Sequence, residues 1–254
     1  MPIKINDRLS WGTYQNMTAI VLLFVWILIT FLGLVDPIFL PSPYETLKSF
    51  FRLLSLQFIE ENLLPSAIRV VFAFVLSVVI AFPLGLLSSQ NTLIRKMLLP
   101  VCSFARYLPV SAFVPLCILW FGIDDAQKVA VIMLGVTFPL VLLIAANTAS
   151  TPTELIETGR TFGLTQAQIV KRIVLPWSMP TIWEDLRISA GWAWSYLILA
   201  ELVAGNSGIG YFVVQSQRYL ETANVFAGIL FIGLLGLLTD IIFRVIGSWL
   251  FRWV

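Results

Sequence analysis

The chain has 254 residues, of which 59% are hydrophobic and 12% charged, with a mean hydropathy of +0.91 and a formal net charge of +2. A soluble domain carries about 25% charged residues, so the composition excludes an ordinary water-soluble protein and places the chain in a bilayer. No His occurs anywhere and no G-x-x-x-x-G-K-[ST] loop is present, which removes the commonest metal ligand and general base and the usual phosphate cradle.

In chain order, apolar runs predict six membrane-spanning helices at approximately 18–35, 66–89, 98–121, 128–149, 186–203 and 224–243, each near the roughly 17–25 residues that cross about 30 Å of hydrocarbon. Together they read as one all-α integral membrane domain over 1–254. The first run exceeds a signal-peptide core of about 7–15 residues and is expected to stay as an anchor. After it, Ser42, Pro43 and Glu45 form the pattern of a capping box with Pro at the first helical position. Leu47, Phe50, Phe51, Leu54 and Phe58 then fall near one face, as in a helix lying at the membrane interface. The third span holds Pro100, Pro109 and Pro115 and is expected to be kinked or interrupted. Cys102 and Cys117 lie in apolar spans and read as buried thiols.

Lys and Arg concentrate on cytoplasmic loops. With six spans and the N-terminus inside, Lys4, Arg8, Arg95, Lys96, Arg160, Lys171, Arg172, Arg187, Arg244 and Arg252 fall inside, against Lys48, Arg52, Lys128 and Arg218 outside. Both termini are therefore expected to face the cytoplasm. Arg69 stands at an outer helix end and Arg106 within a span. Glu201, near the outer end of the fifth span, reads as an interfacial carboxylate or, in an ion-coupled secondary carrier, as a relay group. AGNSGIGY at 204–211 reads as a turn. Asp240 and Arg244 have the i,i+4 spacing of a helical ion pair.

Between the fourth and fifth spans, residues 151–176 are too polar to cross the membrane. Thr151, Pro152 and Glu154 predict a helix start, Gly163 its left-handed closing residue, and Thr165 with Gln168 a second capping box leading to Pro176, which is expected to stop the helix. The result is a cytoplasmic elbow of two short helices bent at Gly163. Thr158 and Gly159 are small beside Glu157 and Arg160, which would let another protein's surface approach the backbone closely.

The stretch ETGRTFGLTQAQIVKRIVLP at 157–176 resembles the EAA loop of ATP-binding-cassette (ABC) importer permeases: Glu157, then Gly163, then Ile173, Leu175 and Pro176 at the family's separations. LPSP at 40–43, ARYLPVSAFVPLCILWFG at 105–122, LPWSMP at 175–180 and AELVAGNSGIGY at 200–211 resemble the branch serving nitrate, alkanesulfonate, taurine and bicarbonate. Thr158 and Gly159 depart from the family's Ala-Ala, and Asp185 stands where Gly is common. The resemblance implies the type I permease fold in a bacterial inner membrane. It also implies pairing with a second copy, docking of two cytoplasmic ATPases on Glu157, Thr158, Gly159, Arg160, Gly163, Ile173, Leu175 and Pro176, and delivery of substrate by an extracytoplasmic binding protein. ATP and Mg would be bound by the ATPase partners, with no cofactor in this chain, no catalytic role and no nucleic-acid partner. Arg106, placed within a span, reads either as a cation that snorkels to the inner surface or pairs with an acid elsewhere, or as one that faces the pathway or a partner, with Trp192, Trp194, Ser195 and Tyr196 as candidate wall residues and Glu201 nearby. A small oxyanion is the favoured cargo, and related members also resemble carriers of thiamine-precursor pyrimidines or riboflavin.

Overall fold

The protein is described by a computed structural model over residues 7–252, which leaves Lys4 outside the described residues. The apolar runs are helical, except that the first ends at Phe31, short of residue 35, and the third is interrupted between Ala105 and Val110. The first lies in α1 (Asp7–Phe31), whose apolar part is Met17–Phe31. Trp26 ties it down, donating to the Pro41 carbonyl (3.0 Å) and packing on Phe226 with ring centroids 5.7 Å apart.

The Ser42 capping box forms at the start of α2 (Pro43–Leu53): the Glu45 N–H donates to Ser42 Oγ and the Ser42 N–H to the Glu45 carboxylate, both at 3.2 Å. The helix ends before Leu54, and the face it turns inward mixes polar residues with Phe50, which packs on the Phe58–Phe231 cluster. Thr46 and Ser49 are buried while Leu47 and Phe51 point outward. Ser49 and Arg52 both donate to Asn224 Oδ1, Arg52 at 2.9 Å. The Asn224 contacts act together with apolar packing, since Phe50 stacks on Phe231 with ring centroids 4.3 Å apart and Phe58 lies 5.3 Å from the same ring.

A short α3 (Leu56–Phe58), a π-turn at Ile59–Leu63 and α4 (Leu64–Gln90) then run as one rod. Pro65 sits in its first α-turn. A proline ring clashes with the carbonyl four residues back; the widened turn lets the chain continue, and that Glu61 carbonyl instead accepts the Gly208 N–H (3.3 Å).

The third run is two helices. Asn91 caps α5 (Thr92–Ala105), which stops before Pro109, and α6 (Val110–Phe121) leaves at 99° to it. Pro100 and Pro115 stay inside these helices. The break falls before Pro109 because a proline disfavours helical backbone in the residue preceding it.

The bundle is built on α7 (Asp125–Ala149), with α4 and α10 (Leu175–Ala204) against it. On α4 the buried positions Ala73, Ser77, Ala81, Gly85 and Ser88 form a small-residue seam. Against it lie Val136, Leu140, Val141 and Ile144 of α7. Small residues let helices approach closely where lipid supplies no hydrophobic drive between them. Between α7 and α10 come α8 (Thr153–Thr161), α9 (Gln166–Ile169) and a second π-turn at Val170–Val174, and the chain ends in α11 (Ile209–Arg218) and α12 (Thr222–Leu250). Among the described residues, Leu56–Gln90, Asp125–Ala149 and Thr222–Leu250 are long and apolar enough to cross a membrane, and the bent pair α5–α6 makes a fourth candidate.

A Cβ at Gly85 would lie 2.7 Å from Ile144 Cβ and 3.0 Å from the Val141 carbonyl, both held by backbone. Gly85→Ala is therefore expected to part α4 from α7 and destabilise by about 1–3 kcal/mol, as overpacking does. Gly191→Ala, whose Cβ meets nothing within 4 Å, is expected not to lower stability. Thermal unfolding of the two purified variants in detergent checks the contrast.

Candidate functional site

Three places carry the sequence-predicted residues. The elbow forms with Gly163 at φ +74°. Its N–H donates to the Arg160 carbonyl (2.9 Å) and the Leu164 N–H to the Gly159 carbonyl (3.1 Å), the paired bonds of a Schellman closure. Thr165 and Gln168 form their capping box. The first box does not form: Thr151 follows α7 so closely that its hydroxyl donates back to the Thr148 carbonyl (3.0 Å), leaving α8 without a side-chain cap. Nor does Pro176 stop the second helix. The π-turn at Val170–Val174 absorbs the proline, and α9 runs on through it into α10.

Glu157, Thr158 and Arg160 are exposed, with the Thr158 hydroxyl turned back to the Glu154 carbonyl (2.7 Å). Gly159 is buried inside the elbow: a Cβ there would stand 2.6 Å from Ile173 Cδ1 and 3.4 Å from Ile169 Cγ1. Its smallness brings the elbow's own two helices together. Leu175 lies at the start of α10 beside exposed Pro176. At the apex Phe162 is 80% exposed, a feature that pattern reading passed over. Asp185 is engaged by the Asn147 side chain, which ties α10 to the end of α7.

At the other end of α10, Glu201 is fully buried, not interfacial. Its carboxylate accepts from Arg69 Nη1 (2.6 Å), from the Ser66 hydroxyl (2.8 Å) and from the Gly210 N–H (2.8 Å). Arg69, only 4% exposed, is likewise no mere helix end; it also donates to Asp125 (2.7 Å) and to the Ser207 carbonyl (3.0 Å) and hydroxyl (2.8 Å). One guanidinium thus joins α4, α7, α10 and the turn before α11. Gly208, at φ +108°, has Glu201 Cδ 2.5 Å from where a Cβ would stand, so the AGNSGIGY turn is folded onto this carboxylate. Pairing and full hydrogen bonding are what make such burial tolerable. The available signal was positional: Arg69, Asp125, Lys128 and Glu201 all fall near outer span ends, at one depth.

The third place is the break between α5 and α6. Arg106 is not inside a continuous span but at this interruption, exposed, donating to Tyr107 Oη (2.9 Å). It lines a cavity of about 300 Å³ with Tyr107, Ser111, Gly135, Tyr196 and Leu199. Among the described residues no carboxylate pairs with it, whereas Lys128 and Arg244 each have one and Arg69 and Arg187 each have two. The first turn of α6, at Val110 and Ser111, borders the same space without a side-chain cap, so its free N–H groups add positive potential. Of the other wall candidates, Ser195 is exposed and Trp192 half-buried on the side of α10 that carries Tyr196. Trp194 turns the opposite way, donating to Thr239 Oγ1 (3.1 Å) in the α10–α12 contact.

Helical spans with a polar elbow, a charge-stapled outer end and a cavity at a broken helix define a multi-pass transport protein. The chain belongs to the family of inner membrane components of binding-protein-dependent transport systems, whose description matches residues 78–252. It is 31% identical over 270 residues to the taurine transport system permease protein TauC of Escherichia coli (strain K12), covering 100% of this chain and 98% of that one. It is 30% identical to the putative aliphatic sulfonates transport permease protein SsuC of Bacillus subtilis (strain 168), covering 98% and 90% respectively. Its fold is shared with a chain of the inward-facing MetNI methionine ABC transporter at a TM-score of 0.66, 18% identity, 74% of this chain and 93% of that one. The protein is thus an ABC importer permease of the inner membrane.

Removing one partner of a buried pair strands the other, at about 3–5 kcal/mol, whereas an exposed partner is worth about 0–1 kcal/mol. Glu201→Ala is therefore expected to lower the unfolding temperature sharply. Asp125→Asn, at a carboxylate whose side chain is 68% exposed, is expected to change it little. Thermal unfolding of the purified variants distinguishes them.

Proposed function

We propose that two copies of this chain form the translocation pathway of an ATP-driven importer for a small oxyanion, an aliphatic sulfonate foremost. The chain crosses the membrane six times with both termini in the cytoplasm, in the type I arrangement. Two ABC ATPase subunits dock on the elbows, and an extracytoplasmic binding protein delivers the cargo. Transport against a gradient needs an energy source, and the chain's lack of a phosphate loop assigns ATP and Mg to those partners.

The observation that carries the substrate class is the uncompensated Arg106 at the α5–α6 break. With its 14 residues, α5 extends about 21 Å at 1.5 Å per residue, less than the roughly 30 Å of hydrocarbon. The break therefore falls at membrane depth, where non-helical backbone is tolerated only if it lines a cavity or is buried in protein. A guanidinium without a counter-ion, next to an uncapped helix N-terminus, suits an anion's oxygens through charge-assisted hydrogen bonds. The names of the taurine and aliphatic-sulfonate relatives agree with that chemistry. Neutral pyrimidines and riboflavin, which lack a strong acid group, do not use it. Arg106→Gln is expected to lower sulfonate uptake by the reconstituted complex about 10- to 100-fold, the worth of a hydrogen bond to a charged group. Normal uptake in an assembled, ATPase-bound Arg106→Gln complex overturns the oxyanion assignment.

The elbow is the mechanical link. Because α9 continues through the π-turn into α10, ATPase closure pushing on Phe162 and Glu157 moves a helix that borders the Arg106 cavity. Gly163→Val places a β-branched side chain in left-handed backbone, at a cost of at least about 1–2 kcal/mol, and is expected to weaken ATPase copurification and transport-coupled ATP hydrolysis together. Wild-type values of both in this variant remove the docking role from the elbow.

A further inference from the structure

The Arg106 cavity has a wall whose position depends on a missing side chain. Gly135, buried in the middle of α7, faces Tyr196 of α10. A Cβ on Gly135 would be 2.5 Å from Tyr196 Cε2 and 2.7 Å from Cγ, with Cδ2 also in conflict. The phenol ring occupies the volume a side chain at 135 would fill. Several atoms of a rigid ring are involved, so a small rotation cannot relieve the overlap. Gly191, on the same α10, has nothing within 4 Å of its Cβ position, so the close approach follows from the packing at 135–196 and not from glycine as such.

Both residues border the cavity that holds Arg106. Among the described residues, the Tyr196 hydroxyl and the Ser111 hydroxyl have no hydrogen-bond partner, although Tyr196 is half-buried. A half-buried phenol bordering a cavity that also presents a guanidinium offers a donor to an anion's oxygen. The same ring, held back against α7, sets how much room remains beside it. At about 300 Å³ the space lies at the lower end of the roughly 300–1,000 Å³ of small-molecule sites, so loss of even part of it would be felt by a ligand of several heavy atoms.

We propose that Gly135 and Tyr196 act together as the size-determining wall of the anion cavity: Gly135 seats the Tyr196 ring against α7, and the ring's position limits the organic tail an imported sulfonate can carry. This rests on the oxyanion reading of Arg106 given above. Neither residue replaces Arg106. The cation acts on the sulfonate head, and the glycine and tyrosine act on the volume for the remainder. Gly135 is a positioning residue working through Tyr196.

The experiment uses the whole importer, with its ATPases and binding protein, in proteoliposomes, and measures uptake of alkanesulfonates from methanesulfonate to hexanesulfonate. One binding protein delivers every member, so its preference cancels in the ratio of variant to wild-type uptake. Gly135→Ala is expected to leave that ratio within about two-fold for methanesulfonate and to lower it about ten-fold or more for the longest sulfonate taken up, the size of a typical overpacking effect. Adding Tyr196→Ala to Gly135→Ala is expected to restore long-chain uptake, because the ring then has nothing to block. Tyr196→Phe alone is expected to keep the wild-type length profile while weakening uptake at all lengths.

A Gly135→Ala ratio independent of chain length overturns the proposal, as does a double variant that assembles but fails to recover the long sulfonates. Should Gly135→Ala fail to assemble, the single variant Tyr196→Ala decides: a profile shifted toward longer chains supports the proposal, and an unchanged profile overturns it. Arg106→Gln in the same assay separates the two levels. Uniform loss there with a flat Gly135→Ala ratio leaves the oxyanion reading standing and removes only the size wall. Unchanged uptake in Arg106→Gln removes the oxyanion reading itself.

Discussion

Hydrocarbon offers no water to a backbone N–H or carbonyl, and each one left unsatisfied costs several kcal/mol; this constraint governs where the chain is regular and where it is not. The apolar runs are helical, and Pro83, Pro100, Pro115, Pro139 and Pro180 are carried inside helices without ending them. Where irregular backbone does occur, something serves its polar groups. At the outer end the turn before α11 is held by Arg69, which takes the Ser207 carbonyl, by Glu201, which takes the Gly210 N–H, and by Ser66, whose Oγ takes the Ile209 N–H (2.9 Å). At the α5–α6 break a cavity lies alongside. The irregular places are accordingly the ones with chemistry.

Arg69, buried, and Arg106, exposed at the α5–α6 break, differ in how their charges are met. Arg69 has two carboxylates and two groups of Ser207, and its charge is spent on holding four elements in register. Arg106 has only a neutral phenol. A fully satisfied cation has nothing left for a ligand, while an unsatisfied one keeps its donors free. The more buried of the two charges is therefore the structural one.

Between these sites runs α10. It begins in the elbow, passes the Asn147–Asp185 contact, presents Tyr196 to the cavity and ends at Glu201. The π-turn at its base is a widened helical turn of the kind that recurs at functional sites. It joins the elbow to α10 without a loop. One helix thus touches the elbow, the cavity and the Arg69–Glu201 staple.

What the sequence by itself determined were features whose partners lie within a few residues: the helical apolar runs, the capping boxes of Ser42 with Glu45 and Thr165 with Gln168, the closing turn at Gly163, the Asp240–Arg244 pair and the elbow's spacing. Their geometry is set by local hydrogen bonds and helical periodicity, so residue type and separation suffice to read them. The tertiary structure alone decided the rest. Arg69 and Glu201 are 132 residues apart, and their burial follows from which helices pack beside which. Gly159 and Gly135 look like loose positions in the sequence and are tight ones in space, because Ile173 and Tyr196 fill the room beside them. Trp194 and Tyr196, two residues apart, were read as sharing one wall; at about 100° per residue the helix sends one to Thr239 and the other to the Arg106 cavity. Thr151 could cap a helix by type, yet the end of α7 stood closer and took its hydroxyl. Periodicity marks that a helix has faces, but only the neighbours it acquires on folding determine which face meets protein, lipid or cargo.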